Sequence, residues 1–217
     1  MNDDLISRLE RKYRRYAVRN LMTFIICAMG VVYVLDALAQ SFIPGGVSPY
    51  LFFSRDLILR GQLWRIVTFS VLPPGSNTLT VLFSLYLYWI IGSALNNHWG
   101  SFKFNLFYLC GITGSILSGL ITGRTTNEYL NLSLFFAFAI LFPDFQLLLF
   151  FILPVKMKYL ALLNGLFFLV SFFQANLTGK VAMAAALVNL ALFFWKDLLR
   201  LARRYRRKAQ FRDAFRR

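Results

Sequence analysis

Three stretches of this chain, Leu21–Gln40, Thr78–Leu95 and Phe102–Thr122, run for 18 to 21 residues with at most one charged side chain each. At about 1.5 Å of rise per residue, a helix of that length matches a hydrocarbon core roughly 30 Å thick. No comparable run is needed in a water-soluble core, so the bilayer is the expected solvent. Three further apolar segments follow at Tyr129–Phe142, Tyr159–Phe173 and Val181–Trp195. The fourth and fifth fall below the usual spanning length of about 17 residues and suggest a locally thin region. The expected architecture is an all-α integral membrane bundle of six transmembrane helices. Composition agrees, since 58% of residues are hydrophobic and only 15% charged, against roughly a quarter charged in soluble domains.

The charges crowd into the ends. Residues 1–20 form a basic segment interleaved with Tyr13, Tyr16 and Val18, the core of the bundle covers 21–198, and 199–217 make a basic amphipathic tail. The net charge of +15 could suit nucleic acid. Juxtamembrane placement instead points to anionic lipid headgroups, and nucleic acid is not an expected partner. With six spans and the N-terminus inside, 19 of the 24 Lys and Arg residues fall on the cytoplasmic side and 5 outside. Both termini are therefore expected in the cytoplasm of a multi-pass cell-membrane protein. No cleavable signal peptide is expected, because the first apolar run lacks a small-residue cleavage site. Cys27 and Cys110 lie alone inside apolar runs and read as small hydrophobes. No metal or cofactor motif occurs.

Residues 41–75 are too broken for a span and too apolar for an ordinary loop. Pro44, Gly45, Gly46, Pro73, Pro74 and Gly75 interrupt them, and Arg55, Asp56, Arg60 and Arg65 make a crossing costly. Leu57, Ile58, Leu59, Leu63 and Trp64 meanwhile call for an apolar surface, so a long first loop lying in the membrane interface is expected. Residues 143–158, with Pro143, Asp144, Pro154, Lys156 and Lys158, read as a bent or re-entrant link, a seventh crossing being the alternative.

Within the first loop, Gly61-Gln62-Leu63-Trp64-Arg65 resembles a Gly-Gln-x-Trp-Arg segment of rhomboid-fold proteins, a family that includes intramembrane serine proteases and the inactive derlins. Gly92 and Gly100 are similar to the ends of a family Gly-x-x-x-Glu-x-x-x-Gly pattern, with Asn96 in place of the glutamate. Phe138–Pro143 and Ile152–Lys156 are similar to the segment that follows the catalytic helix in many bacterial members. The resemblance covers residues 20–198 and implies a rhomboid-like bundle in a bacterial plasma membrane.

It also implies where a Ser–His dyad would lie, and there the chain departs from the family. Thr80 and Ser84 fall at the positions of the oxyanion-binding His and Asn. Ungapped alignment on Pro143 puts Glu128 at the nucleophile, and a shift offers Ser133, which lacks the flanking glycines of Gly-x-Ser-Gly. The chain has one histidine, His98, in the turn after the second span and absent from the sixth. A serine without a base is a poor nucleophile at neutral pH, so an inactive family member is expected, binding transmembrane partners or perturbing the bilayer. An intramembrane serine endopeptidase using Ser133 is the rival, and a small-solute transporter the third reading.

Other residues stand out on their own chemistry. Asp36 is the one carboxylate well inside an apolar run, and with Asn189 in the last span it makes a candidate polar site in the bundle. Trp64 and Arg65 read as a loop anchor, with Trp at headgroup level and Arg bonding backbone carbonyls. Gly111, Ser115 and Gly119 form a small-xxx-small stripe, expected to let helices approach within the bundle or, alternatively, to make an oligomer contact.

Overall fold

The computed structural model describes residues 11–75, 77–149 and 153–194. Six apolar helices organise them: α1 (Leu21–Ala39), α2 (Thr78–Trp99), α3 (Ser101–Thr122), α4 (Glu128–Leu141), α5 (Met157–Gln174) and α6 (Leu177–Phe194). Five are long and apolar enough to cross a membrane, and the exception is α4. With 14 residues, it is about 21 Å long. The expected six transmembrane helices are therefore five by length, plus a short fourth helix, as the 14-residue apolar run there suggests.

The environment of α4 explains how a short helix survives there. Leu130, Asn131, Ser133, Leu134, Phe135, Ala137, Phe138 and Ala139 are all buried. Protein covers most of its surface in place of lipid. The long helices show the opposite pattern. Phe24, Leu79, Ile121, Leu162 and Phe173 are at least 66% exposed, an outward apolar surface that water would not tolerate and a bilayer requires. The chain is a helical membrane protein.

Local chemistry fixes the helix ends. Asn77 caps α2 by accepting the Leu79 amide at 3.3 Å, and Asn176 accepts the Gly179 amide at 3.1 Å at the start of α6. Gly100, with φ of 79°, turns the chain between α2 and α3, a conformation that side chains with a Cβ resist. The main core joins Met22 and Met29 of α1, Ile91 and Leu95 of α2, Phe104 and Phe107 of α3, and Phe138 of α4. Trp99 stacks on Phe107, Phe193 and Phe194 at one end of the bundle.

Two segments depart from the sequence reading. The link at 143–158 is an antiparallel β-hairpin, with β3 (Gln146–Leu149) paired to β4 (Leu153–Lys156) in the register Gln146↔Lys156. A short apolar run is ambiguous between buried helix and strand, and no periodicity separated the two here. Asp144 accepts from Lys158 Nζ at 3.0 Å beside the hairpin. That bond and the Lys158 charge hold its carboxyl below the usual carboxylate range. The second departure is α5, which reaches 18 residues, longer than the short span expected, because Met157 and Lys158 at one end and Gln174 at the other join it.

The first loop is folded. It contains helical turns at Ser48–Leu51, Arg55–Leu59 and Arg65–Thr68, and a two-residue strand β1 (Phe53–Ser54). This strand pairs with β2 (Arg124–Thr125), between α3 and α4. Beneath it Phe53, Ile58 and Phe69 make a separate small core, with Phe53 and Phe69 edge to face at 5.7 Å. The first ten residues of the N-terminal segment 1–20 and the whole basic tail 199–217 lie outside the described residues.

Candidate functional site

The inward face of α4 carries Ser133, which is 1% exposed. Its hydroxyl donates to the Leu130 carbonyl at 2.7 Å, the local bond by which a helical serine satisfies itself. From α6, the Asn189 amide Nδ2 donates to Ser133 Oγ at 3.4 Å. Asn189 also lies against Gly111 of α3, where an added Cβ would stand 2.9 Å from Nδ2. Three helices therefore meet at Ser133, Asn189 and Gly111.

No base faces this serine among the described residues. An amide neither takes nor gives a proton at neutral pH. His98 packs its ring against Phe142 with centroids 5.5 Å apart, and Phe142 is nine residues beyond Ser133, about 13 Å along the helix direction. Thr80 is exposed near the start of α2, Ser84 is half-buried one turn on, and Glu128 is exposed at the first position of α4. None of the three has a side-chain bond to Ser133. The positions that the family resemblance assigned to the dyad and its oxyanion groups are scattered, and only Ser133 and Asn189 are brought together.

Among the described residues Asn189 Oδ1, Ser118 Oγ and the Tyr108 hydroxyl are buried without a hydrogen-bond partner, while Asn131 faces the Tyr88 hydroxyl. Ser118 stands beside the Gly111–Gly119 stripe and Asn131 two residues before Ser133 in the sequence, which marks neither as a buried polar group, and Tyr108 is not marked at all. The available signal was a polar side chain within an apolar helix, which Asn131 and Ser118 share with many packing residues.

The loop anchor is geometrically distinct. Arg65 is buried. Its Nε donates to Gln62 Oε1 at 2.7 Å, and one terminal nitrogen donates to the carbonyls of Pro49 and Phe52 at 3.0 and 2.9 Å. Its guanidinium carbon lies 5.1 Å from the centre of the Phe52 ring. Trp64 Nε1 donates to the Tyr50 carbonyl at 3.2 Å, with its ring half exposed. Thr68 Oγ1 reaches the Leu51 carbonyl. The far end of the loop is held by Asn127, another residue the sequence did not flag, which donates to the carbonyls of Ser70 and Leu72.

Asp36 also turns to this loop. Its Oδ1 accepts the backbone amides of Val47 and Ser48 at 2.7 and 2.8 Å, so it caps the turn at Ser48–Leu51. It makes no contact with Asn189 among the described bonds. The two candidate polar residues serve separate places. Replacing Asp36 by alanine strips two amides of their acceptor and is expected to cost about 1–2 kcal/mol, as lost caps do. Limited proteolysis across residues 40–50 should run several-fold faster, with Asp36→Asn intermediate.

The Gly111, Ser115 and Gly119 stripe is buried within the chain. Gly111 faces Leu130 and Asn189, and Gly119 faces Phe53 and Thr125. An oligomer contact through these three residues is closed, because α4, α6 and the first loop already occupy that face.

Comparison with known proteins bears on this geometry. No protein-family model matches the chain. Over 65 residues it is 43% identical to Rhomboid protease GluP of Bacillus subtilis (strain 168). The match points to a rhomboid-like membrane protein. It covers 30% of this chain and 12% of that relative, so the relative's activity is not carried over by the match.

Proposed function

We propose that this chain is a catalytically inactive rhomboid-like membrane protein that binds transmembrane partners or perturbs the bilayer around them. One observation carries the reading: the side chain that α6 presents to Ser133 is Asn189, and Ser133 already gives its proton to a backbone carbonyl. A hydroxyl bound and buried in this way, with no base beside it among the described residues, has no route to the alkoxide. Asn189 acts as a packing clasp between α6 and α4.

The rest of the molecule supports a retained fold with a different use. Leu59, Leu63, Trp64 and Val67 of the first loop are exposed apolar side chains and suit an interfacial position, with Arg65 turned inward. The basic ends suit anionic lipid on the cytoplasmic face of a bacterial plasma membrane. A central helix of about 21 Å would favour a thin bilayer beside it. The engagement of Asp36 with backbone amides argues against its use as a transport site.

The second reading, a serine endopeptidase, is favoured only by the retention of Ser133 opposite α6. A serine-reactive fluorophosphonate probe separates the two. No Ser133-dependent labelling is expected at neutral pH, and no cleavage of a rhomboid substrate co-expressed with the chain. Cleavage that disappears on Ser133→Ala would overturn the proposal.

A further inference from the structure

The outward side of the first loop combines exposed apolar side chains with unpaired cations. Leu59, Leu63, Trp64 and Val67 are each more than half exposed, whereas Ile58, Arg65 and Phe69 on the same stretch are buried. The stretch is therefore two-faced, with one face on the small core and the other outward. Trp64 is fixed to the Tyr50 carbonyl, and its ring is of the amphipathic kind that settles at headgroup level.

Arg60 sits within this surface, and the β1–β2 pair brings Arg124 to it. Arg124 lies opposite Ser54 in the pair, and the Arg55 amide donates to the Gly123 carbonyl at 2.9 Å. Arg60 then follows the short helix Arg55–Leu59, a rise of about 7.5 Å. Both arginines are exposed, and neither makes an ion pair among the described residues. The carboxylates on this side do not neutralise them. Asp56 pairs with Arg55 at 3.6 Å, Asp36 accepts two loop amides, and Glu128 pairs with neither arginine. Two like charges on one small patch repel, and a shared anion relieves that repulsion. At the depth where Leu63 and Trp64 meet lipid, the anion at hand is a phospholipid phosphate, which guanidinium groups bind in a planar fork. Two arginines against one phosphate leave the site net positive. A headgroup without an amine suits it better than phosphatidylcholine, whose own cation is repelled.

We infer that the first loop holds an anionic phospholipid, its phosphate shared by Arg60 and Arg124 and its acyl chains lying along Leu59, Leu63 and Val67. The inference rests on the reading of the loop as interfacial and names the lipid that it selects.

Trp64 reports on the site. The full chain is reconstituted in phosphatidylcholine–phosphatidylglycerol vesicles in which one lipid or the other carries brominated acyl chains. Quenching at Trp64 is taken as the difference from Trp64→Phe. At equal mole fraction, brominated phosphatidylglycerol is expected to occupy the site roughly five-fold more than brominated phosphatidylcholine. Arg60→Gln combined with Arg124→Gln should abolish the preference, and the corresponding pair of lysine substitutions should retain most of it. Arg15→Gln, in the N-terminal segment, should leave it unchanged. Excess inorganic phosphate should also leave it unchanged, and its loss there would make the ligand free phosphate and overturn the lipid assignment. A preference that survives the double glutamine variant would overturn the inference by placing the selectivity elsewhere. Equal quenching of Trp64 by both lipids would overturn it too, while keeping the loop in the interface. Quenching by neither would overturn both readings, by placing the loop away from the bilayer.

Discussion

Arg65→Ala is expected to be the most damaging single substitution in the first loop, lowering stability by roughly 3–5 kcal/mol. The guanidinium bonds Gln62, Pro49 and Phe52 at once, and among the described residues no carboxylate shares in this arrangement. Its charge is met by carbonyl dipoles and by the face of the Phe52 ring. Alanine leaves a cavity and two carbonyls without their donor, where bonds to charged groups contribute about 1.5–3 kcal/mol each. Lysine does not restore the arrangement, since a point ammonium lacks the planar fork that serves several acceptors. Arg65→Lys should therefore fall between the two. Thermal unfolding in nanodiscs followed by tryptophan fluorescence reads the loss, and faster proteolysis at 48–60 locates it. An unchanged midpoint with a protected loop would mean that Arg65 is incidental to the fold.

That residue also shows what a sequence of this kind reveals. Hydropathy marked every long helix because a bilayer demands uninterrupted apolar length, and α1, α2 and α3 were delimited to within a few residues. The β-hairpin at 146–156 was hidden, because Leu147 to Leu153 is apolar throughout and offers no period to choose strand over helix. The pairing of Phe53 with Thr125 was hidden for a different reason. Two-residue strands leave no pattern, and their partners are 72 positions apart in the chain. At the site, the absence of a usable histidine was plain from composition. The Asn189 to Ser133 contact was not, since it depends on how α6 rotates against α4. Asp36 and Asn189 were grouped by chemical type alone, and three-dimensional structure separates them by giving Asp36 the loop amides.

The second large effect tests that hidden pairing. Gly119→Ala is expected to destabilise the protein by about 1–3 kcal/mol, the range for overpacking a filled site, although the same exchange in an open helix gains up to about 1 kcal/mol. A Cβ on Gly119 would stand 2.5 Å from Phe53 Cε1 and 2.9 Å from Thr125 Cγ2. Neither neighbour is free to retreat. Phe53 is fully buried and edge to face with Phe69, and Thr125 is held in β2 opposite it. The strain should thus pass into the loop and weaken the β1–β2 pair before it disturbs α3. Gly165 on α5 is the control, since a Cβ there meets nothing within 4 Å, so Gly165→Ala should be neutral or mildly stabilising. Phe53→Leu removes the ring edge that causes the clash. Combined with Gly119→Ala it should lose less stability than the two single changes added together, a coupling that a double-mutant cycle in nanodiscs measures directly. Strict additivity would place Gly119 away from Phe53 and detach the first loop from α3.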